Sequence, residues 1–178
     1  SLMMNSSPAI PRLGIPEWDW WSEALHGIGR NGLCTVFPSC IGMACSFNDA
    51  LIERIFSAVS DEGRAKNTLQ RKNGTAGKYQ CLSFWTPTIN LFRDPRWGRG
   101  QESYGEDPFM NGQMGLAVVR GLQGGEGHKY YKLLACAKHF AVHSGPEKTR
   151  HHFDINNLPA RDLWETYLPA FKTLVQQG

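Results

Sequence analysis

The sequence predicts an α/β fold in which strands and helices alternate, so that the strands pair in parallel as a sheet or barrel. Two observations predict it. Apolar runs of strand character are each followed by a polar loop and then by an amphipathic segment at helical spacing, and this order repeats along the chain. The loops after Leu91 and after Ala137 are also unusually long and polar, and a parallel α/β architecture keeps its chemistry in the loops that leave the C-terminal ends of its strands.

The elements follow in order. Residues 48 to about 72 place Leu51, Ile52, Ile55, Phe56 and Val59 on one helical face, with Ser46 or Asn48 as the cap. A strand-like stretch over 81–91, rich in aromatic and β-branched residues, runs into an arginine- and glycine-rich loop at 93–107. Asp107 followed by Pro108 reads as the cap and first turn of a helix to about Leu122. A glycine-rich turn over 121–127 leads to the apolar run 133–137, a buried strand. The polar loop 139–157 then leads to a helix over about 160–177. Only three or four βα units are present, whereas a closed (β/α)8 barrel takes about 250 residues.

Composition bounds the rest. A chain of 178 residues, 41% hydrophobic and 20% charged, supplies one core. The net charge of +3 is mild and its Lys and Arg residues are interspersed with acids, which gives no footprint for nucleic acid. No apolar run approaches the roughly 18 to 20 residues that span a bilayer, so no membrane partner is expected. Cys34, Cys40, Cys45, Cys81 and Cys136 show no Cys-x-x-Cys pair and no zinc-ribbon spacing. They read as buried thiols, with one disulfide open among the first three.

Three clusters carry chemistry. The first, residues 15–27, sets Trp18, Trp20 and Trp21 among Glu17, Asp19, Glu23 and His26. Tryptophan faces stack on sugar C–H surfaces and a carboxylate accepts from adjacent hydroxyls, although the same residues also suit an amphipathic turn with a tryptophan core. The second, residues 93–107, is dense in paired charges, including Arg99 and Glu102. It reads as an arginine fork held by a carboxylate or as a solvated ion-pair loop, and it lacks the third glycine of a dinucleotide fingerprint. The third runs from Lys138 and His139 through His143 and Glu147 to His151, His152 and Asp154. A Lys-His pair at a strand end supplies hydrogen-bond donors, while a metal is disfavoured because the Glu of a His-Glu-x-x-His helix is absent.

Taken together, the motifs resemble the N-terminal barrel domain of glycoside hydrolase family 3, in its β-xylosidase and β-glucosidase branch. They are Glu-Ala-Leu-His-Gly at 23–27, Phe-Pro at 37–38, Arg-Asp-Pro-Arg-Trp-Gly-Arg with Gly-Glu-Asp-Pro between 93 and 108, and Lys-His-Phe at 138–140. The resemblance implies that all 178 residues form part of one (β/α)8 TIM-type barrel. The opening Ser-Leu-Met-Met-Asn resembles the end of a first barrel helix, so truncation at both ends is expected. It implies that Glu23, Arg99, Lys138 and His139 bind the hydroxyls of the sugar that is cleaved, with Trp21, His26, Glu102, His151 and Asp154 in support. No Ser-Asp-Trp or Ser-Asp-Cys motif occurs, the only Ser-Asp being Ser60-Asp61 inside a predicted helix. The catalytic nucleophile and acid/base are therefore expected outside the chain, and neither Glu147 nor Asp154 is assigned to catalysis.

The implied activity is retaining, exo-acting hydrolysis of terminal β-linked xylose or glucose from oligosaccharides, with no cofactor. The remainder of the parent chain would complete the site, and that parent is expected to be secreted or periplasmic rather than cytoplasmic. The Trp-Trp-x-Glu form at 20–23 and Arg-His-His-Phe-Asp at 150–154 resemble the xylosidase branch. Alternatives are a non-catalytic carbohydrate-binding barrel remnant and an α-L-arabinofuranosidase of the same family. An N-acetyl-β-glucosaminidase fits less well, since Ala141-Val142 departs from the Lys-His-Phe-Pro-Gly-His of that branch.

Overall fold

Three stretches of extended backbone lie side by side and parallel in the computed structural model, which describes residues 4–125, 127 and 129–178. The central one carries β3 of the chain (Ser83–Phe84) and pairs in parallel with β4 (Leu134–Ala135) in the register Ser83 to Leu134 and Phe84 to Ala135. The pairing continues at a parallel bridge between Thr88 and Lys138. On the other side Ser22 bridges Phe84 in parallel, through Ser22 N–H to the Ser83 carbonyl (3.2 Å) and Trp85 N–H to the Ser22 carbonyl (2.9 Å). Strand order thus follows chain order, which confirms the α/β class. The ladders are shorter than the apolar runs suggested, because Pro87 interrupts the central strand and cannot donate.

Helices occupy the connections. After a short α1 (Cys40–Ala44), α2 (Asp49–Lys72) links the first strand to the second, and α3 (Pro108–Gln123) links the second to the third. Asn48 caps α2 by accepting from Leu51 N–H at 2.9 Å, and Arg71 and Lys72 in the last turn complement the helix dipole. Asp107 caps α3 at Met110 N–H, Pro108 occupies its first turn, and Gly124 closes it at φ +90°. α2 packs on α3, and α3 on α5 (Pro169–Gln177), as a row of helices. Ile52, Phe56 and Val59 of α2 meet Met114, Val118 and Leu122 of α3 over Phe84 and Leu133 of the sheet. A second cluster joins Ile89, Leu116 and Val119 to Ala170, Phe171 and Leu174.

The opposite face of the sheet is open among the described residues. Along the last strand, buried Leu133 and half-buried Ala135 alternate with exposed Leu134 and Cys136, the period-two pattern of a strand covered on one side.

Three features depart from the sequence reading. The single helix expected over 160–177 is broken into α4 (Ala160–Asp162), a π-turn over Leu163–Tyr167, and α5. Pro169 has no N–H to donate and its ring displaces the carbonyl four residues back, so Leu168 N–H bonds the Leu163 carbonyl five residues away at 2.9 Å. An antiparallel hairpin of β1 (Ser6–Ser7) and β2 (Trp18–Asp19), closed by a 3-10 turn at Pro11–Leu13, precedes the first parallel strand. All five cysteines are free, and Cys45 and Cys136 are exposed rather than buried. Ser1 to Met3, at the opening expected to end a helix, and Glu126 within the glycine-rich turn lie outside the described residues.

Candidate functional site

Each parallel strand delivers one part of a charged cluster at its C-terminal end. The first strand is pinned by Ser22 Oγ donating to the Cys81 carbonyl (3.1 Å) and by Ala24 N–H donating to buried Thr86 Oγ1 (3.1 Å), and Glu23 stands between these anchors. Its carboxylate accepts from Trp21 Nε1 at 3.0 Å and lies 3.6 Å from Arg30 Nε. Trp21 in turn stacks on Trp85 with centroids 4.9 Å apart, and Lys78 Nζ sits 4.1 Å from the centre of its ring. Of the two roles left open, Trp21 has the packing one, and its N–H also fixes a carboxylate.

The loop after the central strand supplies Arg99 and Glu102. Arg99 Nε and Nη2 donate to Glu102 Oε1 and Oε2 at 3.0 and 2.6 Å, a bidentate fork with both side chains about four-fifths covered. This is the held fork rather than the solvated ion-pair loop. The third guanidinium nitrogen, Nη1, lies 3.1 Å from His139 Nε2. The last strand ends in Lys138 and His139, where Lys138 N–H donates to the Pro87 carbonyl and its own carbonyl accepts from Ile89 N–H. The Lys138–His139 and Phe140–Ala141 peptide bonds are cis.

Burial and then the Arg99 charge lower the Lys138 pKa, while Glu102 and Glu23 act the other way. The ammonium has no carboxylate within 4.0 Å among the described residues. Burial first, then Arg99 and Lys138, bring His139 from 6.5 down to about 3, so the imidazole is neutral. Around the neutral ring the cluster combines the carboxylates of Glu23 and Glu102 with the cations of Arg99 and Lys138, so that it presents both hydrogen-bond acceptors and donors. A cleft of about 200 Å³ beside it is lined by Glu23, Leu25, His26, Cys40, Gln101 and Glu102. Larger hollows of about 800 and 680 Å³ elsewhere include none of Glu23, Arg99, Glu102, Lys138 or His139.

The remaining candidates separate. His26 is exposed at the cleft and donates from Nδ1 to the Phe37 carbonyl at 3.0 Å. His151 and Asp154 lie on an exposed segment; His151 Nε2 is 3.5 Å from Arg150 Nη2, and Asp154 has no hydrogen bond or ion pair among the described residues. Glu147 ties the two loops together instead of facing the cluster, accepting from Gly98 N–H at 3.1 Å and pairing with Arg150 at 2.6 Å. His139 and His143 have ring centroids 4.7 Å apart, yet no three His, Cys, Asp or Glu among the described residues are arranged to hold a metal.

Asn90 was not anticipated. It is 2% exposed and makes four contacts to the 139–141 backbone and the His139 ring. Its signal in the sequence is a carboxamide inside the apolar run Thr88-Ile89-Asn90-Leu91, where a buried polar side chain needs partners.

The described residues thus form a parallel α/β unit with a charged cluster at its strand ends. The chain belongs to glycosyl hydrolase family 3, whose N-terminal domain matches residues 5–178. It is 57% identical over 179 residues to a xylan 1,4-beta-xylosidase of Xylanibacter ruminicola, covering 99% of this chain and 21% of the relative. It is 40% identical over 197 residues to probable beta-D-xylosidase 7 of Arabidopsis thaliana, covering all of this chain and 25% of the relative. The structure of the exo-beta-xylosidase XlnD in complex with a xylobiose aziridine probe is similar, with TM-score 0.79 and 35% identity over 96% of this chain and 22% of that one. So is DesR, a beta-glucosidase from Streptomyces venezuelae in complex with D-glucose, with TM-score 0.74 and 28% identity over 97% and 20% of the two chains. The chain therefore spans about a fifth to a quarter of the length of the relatives it matches.

Proposed function

We propose that this chain is the substrate-positioning part of a (β/α)8 barrel in a retaining exo-β-glycosidase that removes terminal β-linked xylose from oligosaccharides. The observation that carries the reading is the convergence of Glu23, Arg99, Lys138 and His139 from three parallel strand ends on one charged cluster. The xylosidase relatives support xylose over glucose. Three of the described carboxylates are engaged: Glu102 is locked to Arg99, Glu23 to Trp21, and Glu147 to Gly98 and Arg150, whereas Asp154, which has no such partner among the described residues, lies on an exposed segment. Retaining hydrolysis needs two carboxyl groups about 5 to 5.5 Å apart, one free to attack. This reading assigns that pair to the rest of the parent enzyme, which would complete the barrel and the site.

The test is release of nitrophenol from aryl β-xyloside and β-glucoside by the full-length parent and by its Glu23→Asp variant. The wild-type parent should prefer the xyloside. Shortening the carboxylate arm opens space where a C6 hydroxymethyl would sit, so the variant's preference should move toward the glucoside by about tenfold, the worth of one good hydrogen bond or methylene. Failure to cleave either substrate would sink the enzyme reading, and an unchanged ratio would sink the role of Glu23 in choosing the sugar.

A further inference from the structure

Asn90 contacts both the backbone and the ring of His139. The orientation of the Asn90 amide is fixed by backbone groups whose roles admit no exchange. Its Nδ2 lies 2.8 Å from the His139 carbonyl and 3.0 Å from the Ala141 carbonyl, both obligate acceptors. Its Oδ1 lies 2.7 Å from the His139 backbone N–H, an obligate donor. Oδ1 also faces His139 Nδ1 at 3.1 Å. A carboxamide oxygen carries no proton, so this nitrogen must be the one that does. On the other edge of the ring, Nε2 faces Arg99 Nη1 at 3.1 Å. A guanidinium only donates, so Nε2 must hold a lone pair.

Two neighbours that leave no choice, one on each side, select the same neutral tautomer. We propose that Asn90 is a positioning residue that holds His139 as the Nδ1–H tautomer, so that the one lone pair of its Nε2 accepts from Arg99 and orients that guanidinium at the sugar site. This reverses the expectation that the Lys-His pair supplies donors: Lys138 donates and His139 accepts. The inference rests on the proposed sugar site only for its consequence in turnover; the proton position itself does not depend on it.

The charges that face the ring agree. Arg99 from the loop after the central strand, Lys138 on its own strand, and His143 and Arg150 from the following loop all oppose a second proton on it. Glu102, which shares Arg99 with the ring, is occupied by that guanidinium. Among the described residues the hydrogen-bond partner of Nε2 is Arg99, which cannot accept a proton from it.

Two measurements on the full-length parent test this. Neutron diffraction from deuterium-exchanged crystals near neutral pH should show a deuteron on Nδ1 and none on Nε2. Density at Nε2 would overturn the assignment whether or not the parent is active on any glycoside. The second is the pH profile of kcat/KM for Asn90→Asp and Asn90→Leu beside wild type, with thermal midpoints recorded for all three. A carboxylate against Nδ1 favours the imidazolium, whose Nε2–H would point at Arg99. Asn90→Asp should therefore gain a new acid limb between about pH 4 and 7, with kcat/KM falling about tenfold for each pH unit below it. Asn90→Leu removes the same amide contacts without adding charge, and should lose activity evenly across that range. Equal, pH-independent losses in both variants would reduce Asn90 to packing and overturn the proposal.

Discussion

Arg99 is held at all three of its donor-bearing nitrogens, two by Glu102 and one by His139, so at the residue scale the cluster is built before any ligand arrives. Preorganisation of this kind depends on protonation, and the sign can be worked out for His139. Its folded-state value near 3 lies below the ordinary 6.5, chiefly through burial and then Arg99. Above about pH 6.5 neither folded nor unfolded chain binds a proton there, and the group leaves stability untouched. As pH falls from that point toward 3 the unfolded chain protonates while the folded one does not, and stability is lost across that window. The thermal midpoint of the parent should therefore fall more steeply between pH 6 and 4 in wild type than in a His139→Gln variant, as differential scanning calorimetry would read. Parallel slopes would show that the ring is not held neutral.

At the element scale, the helices follow from local chemistry and their closeness follows from glycine. The α2 helix was legible because its apolar spacing, its Asn48 cap and its basic last turn agree with one another, and the Asp107-Pro108 start of α3 was equally plain. The break before α5 was signalled by Pro169 and its form was not, because a π-turn is one of several ways to release the lost hydrogen bond. The short ladders, the N-terminal hairpin and the Asn90 network depend on partners 11 to 65 residues away, as in Trp18 Nε1 donating to Ser83 Oγ, and no local pattern encodes those.

Gly121 shows how tightly the elements meet. A Cβ built there would lie 2.5 Å from the Glu53 carbonyl oxygen and 2.8 Å from Phe56 Cβ across the α2/α3 contact. Ser60 Oγ also donates to the Gly121 carbonyl at 3.1 Å. Backbone cannot yield as a side chain can, so Gly121→Ala should force the helices apart and destabilise the fold by about 2 to 3 kcal/mol, the upper range for overpacking. Urea unfolding of the parent, read by a probe within this domain, would check it. A change below about 0.5 kcal/mol, the ordinary range for a harmless substitution, would mean that the helices do not approach so closely.

At the scale of the whole molecule, the sheet is covered by α2, α3 and α5 on one side and open on the other. The cluster residues Glu23, Arg99, Lys138 and His139 could be picked from the sequence only through their joint resemblance to a family. Each alone suited an ordinary surface or core role, and their convergence is a product of strand order. The open face has a consequence for the 178 residues taken alone. Leu134 at 43% exposure lies on it, while Phe140, Trp164 and Val175 stand at 79%, 69% and 82% exposure around the end of the chain. Among the described residues the last strand has an unpaired edge in addition, since its parallel partner lies on one side only. Unpaired backbone groups next to apolar surface are the two ingredients of edge-to-edge association. Charge gives little opposition, because a net +3 spread over the chain raises only a weak mutual repulsion that physiological salt screens within about 8 Å. The isolated chain should therefore self-associate at micromolar concentration, with a scattering mass that rises with protein concentration, whereas the parent, whose remaining segments would cover this face, should not. A concentration-independent monomer with a cooperative thermal transition would show that the exposed face is tolerated as it stands, and that the charged cluster can be studied in these 178 residues alone.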